Sequence, residues 1–305
     1  MGLFLGIAAI WGGSFVAIEI GLHHVPPLTF AGLRYLVAGS IVLGYARITA
    51  PYVLPRNRRD GLKIAVFAIF FIFANHAFLY LGEQYVSGAI AAVVVSLSPV
   101  LTAVFAGVLL GEQRLDARDV LGFTAGILGV VIIAQPSPAS LVETNVLGLG
   151  LVFVAAVSFA LGAVLSEPIP TTIPISSLQG WAMIAGSTML LAGGSLRGES
   201  LTEISVTPAA VATFLYLTLV AGAFAYLLYF TLLDYVGPTE LNLVGYLEPV
   251  GAAIVSWAVL GEIIDTATLA GFVAIFAGFA LIKGDALVRR FGITVPSVST
   301  LREWH

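Results

Sequence analysis

The sequence predicts an all-α integral membrane protein whose ten transmembrane helices form two inverted five-helix repeats. Three observations carry that expectation. Apolar residues make up 59% of the 305 positions and charged residues only 10%, with a mean hydropathy of +1.04. A soluble domain carries about 25% charged residues, so this chain cannot cover itself with a water-facing surface. Apolar runs such as residues 65–81 and 89–110 approach the roughly 20 residues a spanning helix needs, and the ~10-residue alternation of a membrane barrel is absent. Finally, the chain contains itself twice. Tyr85-Val86, Ser98-Pro99, Gly111-Glu112, Gly122 and Gly129 are matched by Tyr235-Val236, Glu248-Pro249, Gly261-Glu262, Gly271 and Gly278. The offset is 150 up to the Gly-Glu pair and 149 beyond it. Two internal repeats in a strongly apolar chain are a signature of secondary transporters.

The elements follow in order. The run near 3–22 has no basic n-region and no small-x-small cleavage site before it, so it reads as the first spanning helix rather than a signal peptide. His23-His24-Val25-Pro26-Pro27 ends it, and spans near 29–48, 62–82, 87–110 and 118–134 complete a first repeat over 1–134. The stretch 51–60 and Gly111-Glu112-Gln113-Arg114 supply the intervening turn chemistry. Residues 135–145, opening with Gln135-Pro136-Ser137-Pro138, form a connecting loop. Spans near 146–165, 176–194, 208–233, 238–260 and 267–283 make the second repeat, 146–283, and residues 284–305 a polar cytoplasmic tail.

An odd number of helices per repeat turns the second copy upside down, and the basic residues test this. With the N-terminus inside, the cytoplasmic loops, helix ends and tail hold Arg47, Arg56, Arg58, Arg59, Lys63, Arg114, Arg118, Lys283, Arg289, Arg290 and Arg302. The outer loops hold only Arg197, and Arg34 lies within a helix, so 11 + 1 + 1 accounts for all 13 Lys and Arg. The positive-inside rule places both termini in the cytoplasm of a multi-pass cell-membrane protein.

Ionisable groups near mid-bilayer cost about 2.5–3.5 kcal/mol on insertion scales and so need a partner, a pathway or a proton. Glu248 sits near the middle of the ninth helix, directly before Pro249, which cannot donate to the Gly245 carbonyl. The fourth helix has Ser96, Ser98 and Pro99 in the equivalent place, with Val95 as its freed carbonyl. Two such breaks point to a midplane binding site, the alternative being packing kinks with a structurally paired Glu248. Asn75 and His76, past the middle of the third helix, either line the same cavity or bond a neighbouring helix carbonyl. Tyr226 and Tyr246 are aromatic candidates, Tyr246 a half-turn from Glu248. Glu19 and Arg34 fall at similar depth in adjacent helices, and a structural ion pair is the simplest reading, a gate or substrate contact the other. Glu83 and the other acidic residues at helix ends need only solvation. Trp11-Gly12-Gly13-Ser14 offers small residues for close helix approach.

Taken jointly, Trp11-Gly12-Gly13-Ser14-Phe15, Pro26-Pro27, Phe30-Ala31-Gly32-Leu33-Arg34-Tyr35 and Tyr246-Leu247-Glu248-Pro249-Val250, followed by Gly261-Glu262 and Gly271, resemble the EamA family of the drug/metabolite transporter superfamily over residues 3–283. The resemblance implies a five-plus-five carrier with alternating access. Its cavity would be lined by the helices bearing Trp11, Asn75, Ser96, Ser158, Tyr226 and Glu248. It also implies a small metabolite substrate such as an amino acid or related compound, with export common among members. Ser98 stands where the second half has Glu248, which argues against a symmetric two-carboxylate mechanism.

An intramembrane enzyme is disfavoured: there is no His-Glu-x-x-His, no cysteine, no paired intramembrane aspartate and no nucleotide loop. Neither disulfides nor thiolate metal sites can exist. A channel would want a repeated filter sequence, which is missing. The expected partners are a small-molecule substrate and the lipid bilayer, with a coupling proton and a homodimer left open. No cofactor, metal or nucleic acid is expected.

Overall fold

The computed structural model describes residues 2–111, 117–134, 144–228 and 244–291. Those residues are helical with short connections, and no strand occurs among them. The helices are α1 (Gly2–Leu22), α2 (Pro27–Thr49), α3 (Arg58–Gly82), α4 (Gly88–Leu110), α5 (Ala117–Ala134), α6 (Thr144–Ser166), α7 (Ile175–Leu196), α8 (Pro208–Leu228), α9 (Val244–Leu260) and α10 (Thr266–Phe291). Of these, α2, α3, α4, α8 and residues Val146–Ser166 of α6 are long and apolar enough to cross a bilayer, and shorter apolar helices accompany them. The chain is a multi-pass membrane protein. The last helix outruns its expected end at 283 and continues to Phe291.

Local chemistry sets the ends. Pro27 and Pro208 occupy first-turn positions, where a missing N–H is harmless. The Asn57 side chain caps α3 by accepting the Asp60 N–H, and the Thr207 hydroxyl caps α8 by accepting that of Ala210. Gly111 and Gly261, the repeated Gly of the Gly-Glu pairs, end α4 and α9 with φ of 66° and 73°. Only glycine adopts that left-handed conformation freely, which explains why the pair recurs.

Three helices depart from α geometry: α4 widens over its last turn, Ala106–Leu110, and α3 and α8 do so over longer stretches. In α3, Phe67–Ala74 widens to i→i+5 bonding, and in α8 the same happens over Tyr216–Phe224. The starts of the two wide segments lie 149 residues apart, by subtraction of 67 from 216. Such segments are rare and collect at functional sites. α4 is interrupted by a turn at Ser96-Leu97, whereas α9 runs through Pro249 unbroken.

Glycine decides how the helices cross. On the antiparallel pair α2–α7, a Cβ at Gly32 would stand 2.7 Å from Leu191 Cγ, 2.8 Å from its Cδ2 and 3.2 Å from its backbone nitrogen. A Cβ at Gly180 would meet the Cγ, Cδ2 and nitrogen of Leu43 at the same 2.7, 2.8 and 3.2 Å. On α5–α10, Gly129 faces Gly271 and Gly122 faces Gly278. α1 and α9 touch where Gly12 meets the Glu248 carbonyl and Gly251 meets that of Ala8. α3 and α6 run antiparallel through Gly82 and Gly148.

A Cβ added at Gly278 would run into the Gly122 carbonyl oxygen, a contact with backbone that no rotamer relieves. Gly278→Ala should therefore cost about 1–3 kcal/mol, read as a lowered unfolding midpoint of the detergent-solubilised protein. Gly44, with nothing within 4 Å, is the control: Gly44→Ala should be neutral or stabilise by up to ~1 kcal/mol. Equal behaviour of the two variants would show that α5 and α10 do not cross at these glycines.

Candidate functional site: a buried polar chain across α2, α3 and α8

Arg34, His76 and Tyr226 meet around Tyr35, a position that the sequence does not single out. Arg34 and Tyr35 on α2 are both buried, at 5% and 3% exposure. The Arg34 Nη2 donates to the Tyr35 hydroxyl at 2.7 Å, and the guanidinium lies over the rings of Tyr35 and Tyr80, 4.3 and 5.4 Å from their centroids. The Tyr35 hydroxyl is hydrogen-bonded to His76 Nε2, and Tyr226 of α8 is in hydrogen-bond contact with the same tyrosine. His76 Nδ1 faces the carbonyls of Phe71 and Ile72 at 3.0 and 3.1 Å.

Those two carbonyls can only accept, so the proton of a neutral His76 sits on Nδ1 and leaves Nε2 to accept from Tyr35. The chain of donors therefore has one direction: Arg34 to Tyr35, Tyr35 to His76, His76 to the wide segment of α3. The widened turns take part on both helices. In α3 the segment supplies the two carbonyls, and in α8 the Ala221 carbonyl accepts from Trp11 Nε1 at 3.2 Å. Trp11 and Tyr226 complete the contact at 5.4 Å between ring centroids.

The expected site residues divide. Trp11, His76 and Tyr226 come together in this network. Asn75 is buried and donates to the Ala155 carbonyl at 2.9 Å, tying α3 to α6. Ser96 and Ser98 are buried and turn inward on their own helix, bonding the Val93 and Val95 carbonyls at 2.6 and 2.7 Å. Ser98 thus satisfies the acceptor that Pro99 frees. Ser158 is buried on α6. Glu248 is half-buried on α9, its carboxylate in no hydrogen bond or ion pair among the described residues. Tyr246 belongs to α9, but its side chain lies outside the described residues.

Glu19 and Arg34, expected as an ion pair, have different partners. Glu19 Oε2 accepts the Gly88 N–H at 2.7 Å and so caps α4 from a distant part of the chain. Arg34 turns to tyrosines instead. Glu83, expected to be solvated at a helix end, is 5% exposed, and neither carboxylate oxygen has a hydrogen-bond partner among the described residues. The cause is local. The turn joining Glu83 to α4 folds tightly, with the Tyr85 N–H on the Gly82 carbonyl, while Gly82 packs on α6 and Gly88 on α1.

Second ties link the ends of α2 and α7. Glu199 accepts the Leu28 and Thr29 N–H groups at 3.2 and 2.8 Å and the Thr29 hydroxyl at 2.9 Å. At the other end the Ser177 hydroxyl and Trp181 Nε1 donate to the Tyr52 and Val53 carbonyls, and the Thr171 hydroxyl to Asp60. Two surface clefts of about 510 and 590 Å³ open there, lined by Arg58 and Arg59 and by Arg47 and Arg56. The first lies roughly 25 Å along α3 from His76, and none of the residues of the buried polar chain lines either cleft.

Tyr35→Phe would leave Arg34 Nη2 and His76 Nε2 without their shared partner. It should destabilise the protein by about 1–3 kcal/mol, measured by thermal unfolding in detergent. Combined with His76→Leu, the loss should fall short of the sum of the single changes. Additive losses would mean that the two side chains do not interact.

The EamA-like transporter family model matches residues 1–135 and again 146–284. A "Probable amino-acid metabolite efflux pump" of Salmonella typhimurium is 30% identical over 300 residues, spanning 94% of this chain and 96% of that protein. The "Uncharacterized inner membrane transporter YedA" of Escherichia coli is 26% identical over 300 residues, 97% and 95% of the two chains. A solved crystal structure with 21% identity shares the fold at a TM-score of 0.61, covering 92% of this chain and 95% of that one. With both halves matched and the polar core described, the chain belongs to the EamA-like transporter family and is a membrane transporter.

Proposed function

We propose that the protein is a secondary transporter, an exporter of a small polar metabolite such as an amino acid or related compound, working by alternating access between two inverted five-helix repeats. The carrying observation is the equality of the α2–α7 contacts. Gly32 against Leu191 and Gly180 against Leu43 exchange places with the same three distances, as a two-fold axis between the helices requires. Gly32 and Gly180, and Leu43 and Leu191, are each 148 residues apart by subtraction. The α5–α10 crossing repeats the pattern with Gly129–Gly271 and Gly122–Gly278, and the wide segments of α3 and α8 correspond at an offset of 149. A family model that matches each half separately supports the same reading.

Helices of the two sequence halves are interleaved. α1 packs on α9, and α3 packs on α6, so a rocking motion carries one helix of each half together. The α2–α7 pair, fastened at both ends, is the natural pivot. Kinship supports the substrate class: the Salmonella relative is named for amino-acid metabolite efflux.

In this reading the termini are cytoplasmic. Tags at either terminus should report the cytoplasm, and a tag within residues 195–203 the outside. A C-terminal tag on the outer face would dissolve the inverted arrangement.

Glu248 remains the proposed carrier carboxylate of α9. Glu248→Gln should leave the protein folded and inserted but cut solute flux in reconstituted vesicles at least tenfold. If the carboxylate carries the coupling proton, the residual flux should also lose its response to a pH gradient. Wild-type flux in the variant would reduce Glu248 to a structural residue and move the site to His76 and its partners.

A further inference from the structure

Five of the 13 lysines and arginines, Arg47, Arg56, Arg58, Arg59 and Lys63, surround the turn from α2 to α3. Positive charge at a membrane surface needs only water, but the chain that carries it here is held in place. The Ser177 hydroxyl and Trp181 Nε1 of α7 donate to the Tyr52 and Val53 carbonyls at 3.0 and 2.9 Å. The Tyr52 and Thr172 hydroxyls share a hydrogen bond of 2.9 Å, and Asp60 accepts the Arg56 N–H at the same distance. On that frame the Arg56 guanidinium lies over the Tyr52 ring, 3.6 Å from its centroid. Stacking occupies the flat face of the group and leaves the N–H donors along its edge open. Neither Arg47 nor Arg56 is paired with a carboxylate among the described residues. Both line one cleft of about 590 Å³, with Pro51, Tyr52 and Leu54.

The cleft stands at the end of an apolar track. α2 rises about 35 Å over its 23 residues. The hydrocarbon core is about 30 Å thick, so the last turn of α2, with Arg47, lies at headgroup level. The large apolar side chains that α2 exposes are Val37, Ile41, Tyr45 and Ile48. They follow one another at four, four and three positions, which is one face of a helix. From Val37 to Ile48 the track runs about 17 Å, close to the ~15 Å depth of one leaflet. In a bilayer this face meets acyl chains, and the headgroups joined to those chains reach the turn that lines the cleft. Two unpaired arginines there ask for negative charge, and the fork of a guanidinium edge matches a pair of phosphate oxygens.

We propose that the cleft between Arg47 and Arg56 binds one anionic phospholipid, its phosphate held by the two guanidinium groups and its chains lying along the Val37–Ile48 track. The proposal goes beyond the transporter reading and holds whichever face of the membrane the turn occupies. Tyr52 positions Arg56 and does not itself bind the lipid. Arg58 and Arg59 line the neighbouring cleft and add only to the surrounding potential. A zwitterionic lipid brings its own cation against the arginines and so gains less than a lipid whose single charge is its phosphate.

The test is native mass spectrometry of the purified full-length protein, released from a neutral detergent with phosphatidylglycerol and phosphatidylcholine of equal chain length. One phosphatidylglycerol per chain should be retained, preferred over phosphatidylcholine at least about tenfold. Arg47→Gln and Arg56→Gln should each lower that preference about fivefold. Arg56→Lys keeps the charge but loses the stacked fork, and its preference should fall as well. Arg197→Gln, which removes an exposed cation far from the cleft, should leave the preference unchanged. The substituted arginines are exposed, and the comparison of the two lipids on the unsubstituted protein stands without any variant. Equal retention of the two lipids overturns the proposal. An unchanged preference in Arg56→Lys also overturns it, because attraction to a diffuse positive surface does not distinguish the two cations. Displacement of the lipid by an equal concentration of free glycerol 1-phosphate would assign the cleft to a soluble phosphate and sink the lipid site.

Discussion

The arrangement depends on backbone meeting backbone at glycine. Between helices in lipid there is no hydrophobic drive to associate, since the tails are as apolar as leucine, so contact rests on close packing. Gly12 and Gly251 bring α1 onto α9, Gly82 and Gly148 join α3 to α6, and Gly271 and Gly278 seat α10 on α5. Each crossing fixes how far apart the remaining side chains lie. The reach of Trp11 to the Ala221 carbonyl, and of Asn75 to that of Ala155, exists only at these separations.

Close packing leaves little room for water, and the polar groups are resolved between helices instead. Pro26 and Ser87 sit at the N-caps of α2 and α4, and neither makes a side-chain cap bond. Carboxylates from elsewhere in the chain take over: Glu199 reaches α2 across 170 residues and Glu19 reaches α4 across 69. Negative charge at a helix start is favoured by the orientation of its peptide dipoles, so these bonds add electrostatic gain to hydrogen bonding. The cost of that economy falls on Arg34 and Glu83, which the same packing buries with Arg34 Nε and both Glu83 oxygens lacking a hydrogen-bond partner among the described residues.

Much of the helix pattern was legible in the sequence because hydropathy and turn chemistry are local. Pro27, Asn57 and Pro208 mark starts that the structure places within a few residues of the expected ones. The site was legible only in part. His76 and Tyr226 stood out as polar or aromatic groups in apolar helices, but their meeting point, Tyr35, looked like any other aromatic. Glu83 was misread because burial at a helix end is decided by how the next turn folds, which residue type does not reveal. Glu19 and Arg34 failed as a pair for a related reason: equal depth says nothing about rotation, and each turns toward a different neighbour. The widened segments left no composition signal, being as apolar as ordinary spans.

Those widened segments have a consequence for how the family can vary. In each, extra chain is accommodated without breaking the helix, so their length in residues is decoupled from the thickness they span. Loss of one residue between Phe67 and Ala74 would leave a span of nearly unchanged hydropathy. It would nevertheless turn everything beyond by roughly 100°, carrying His76 out of line with Tyr35. A small insertion or deletion at such a place is thus a rotation of one helix face, available without any change in the residues that it carries. Relatives that differ by one position here would present different side chains to the same interior.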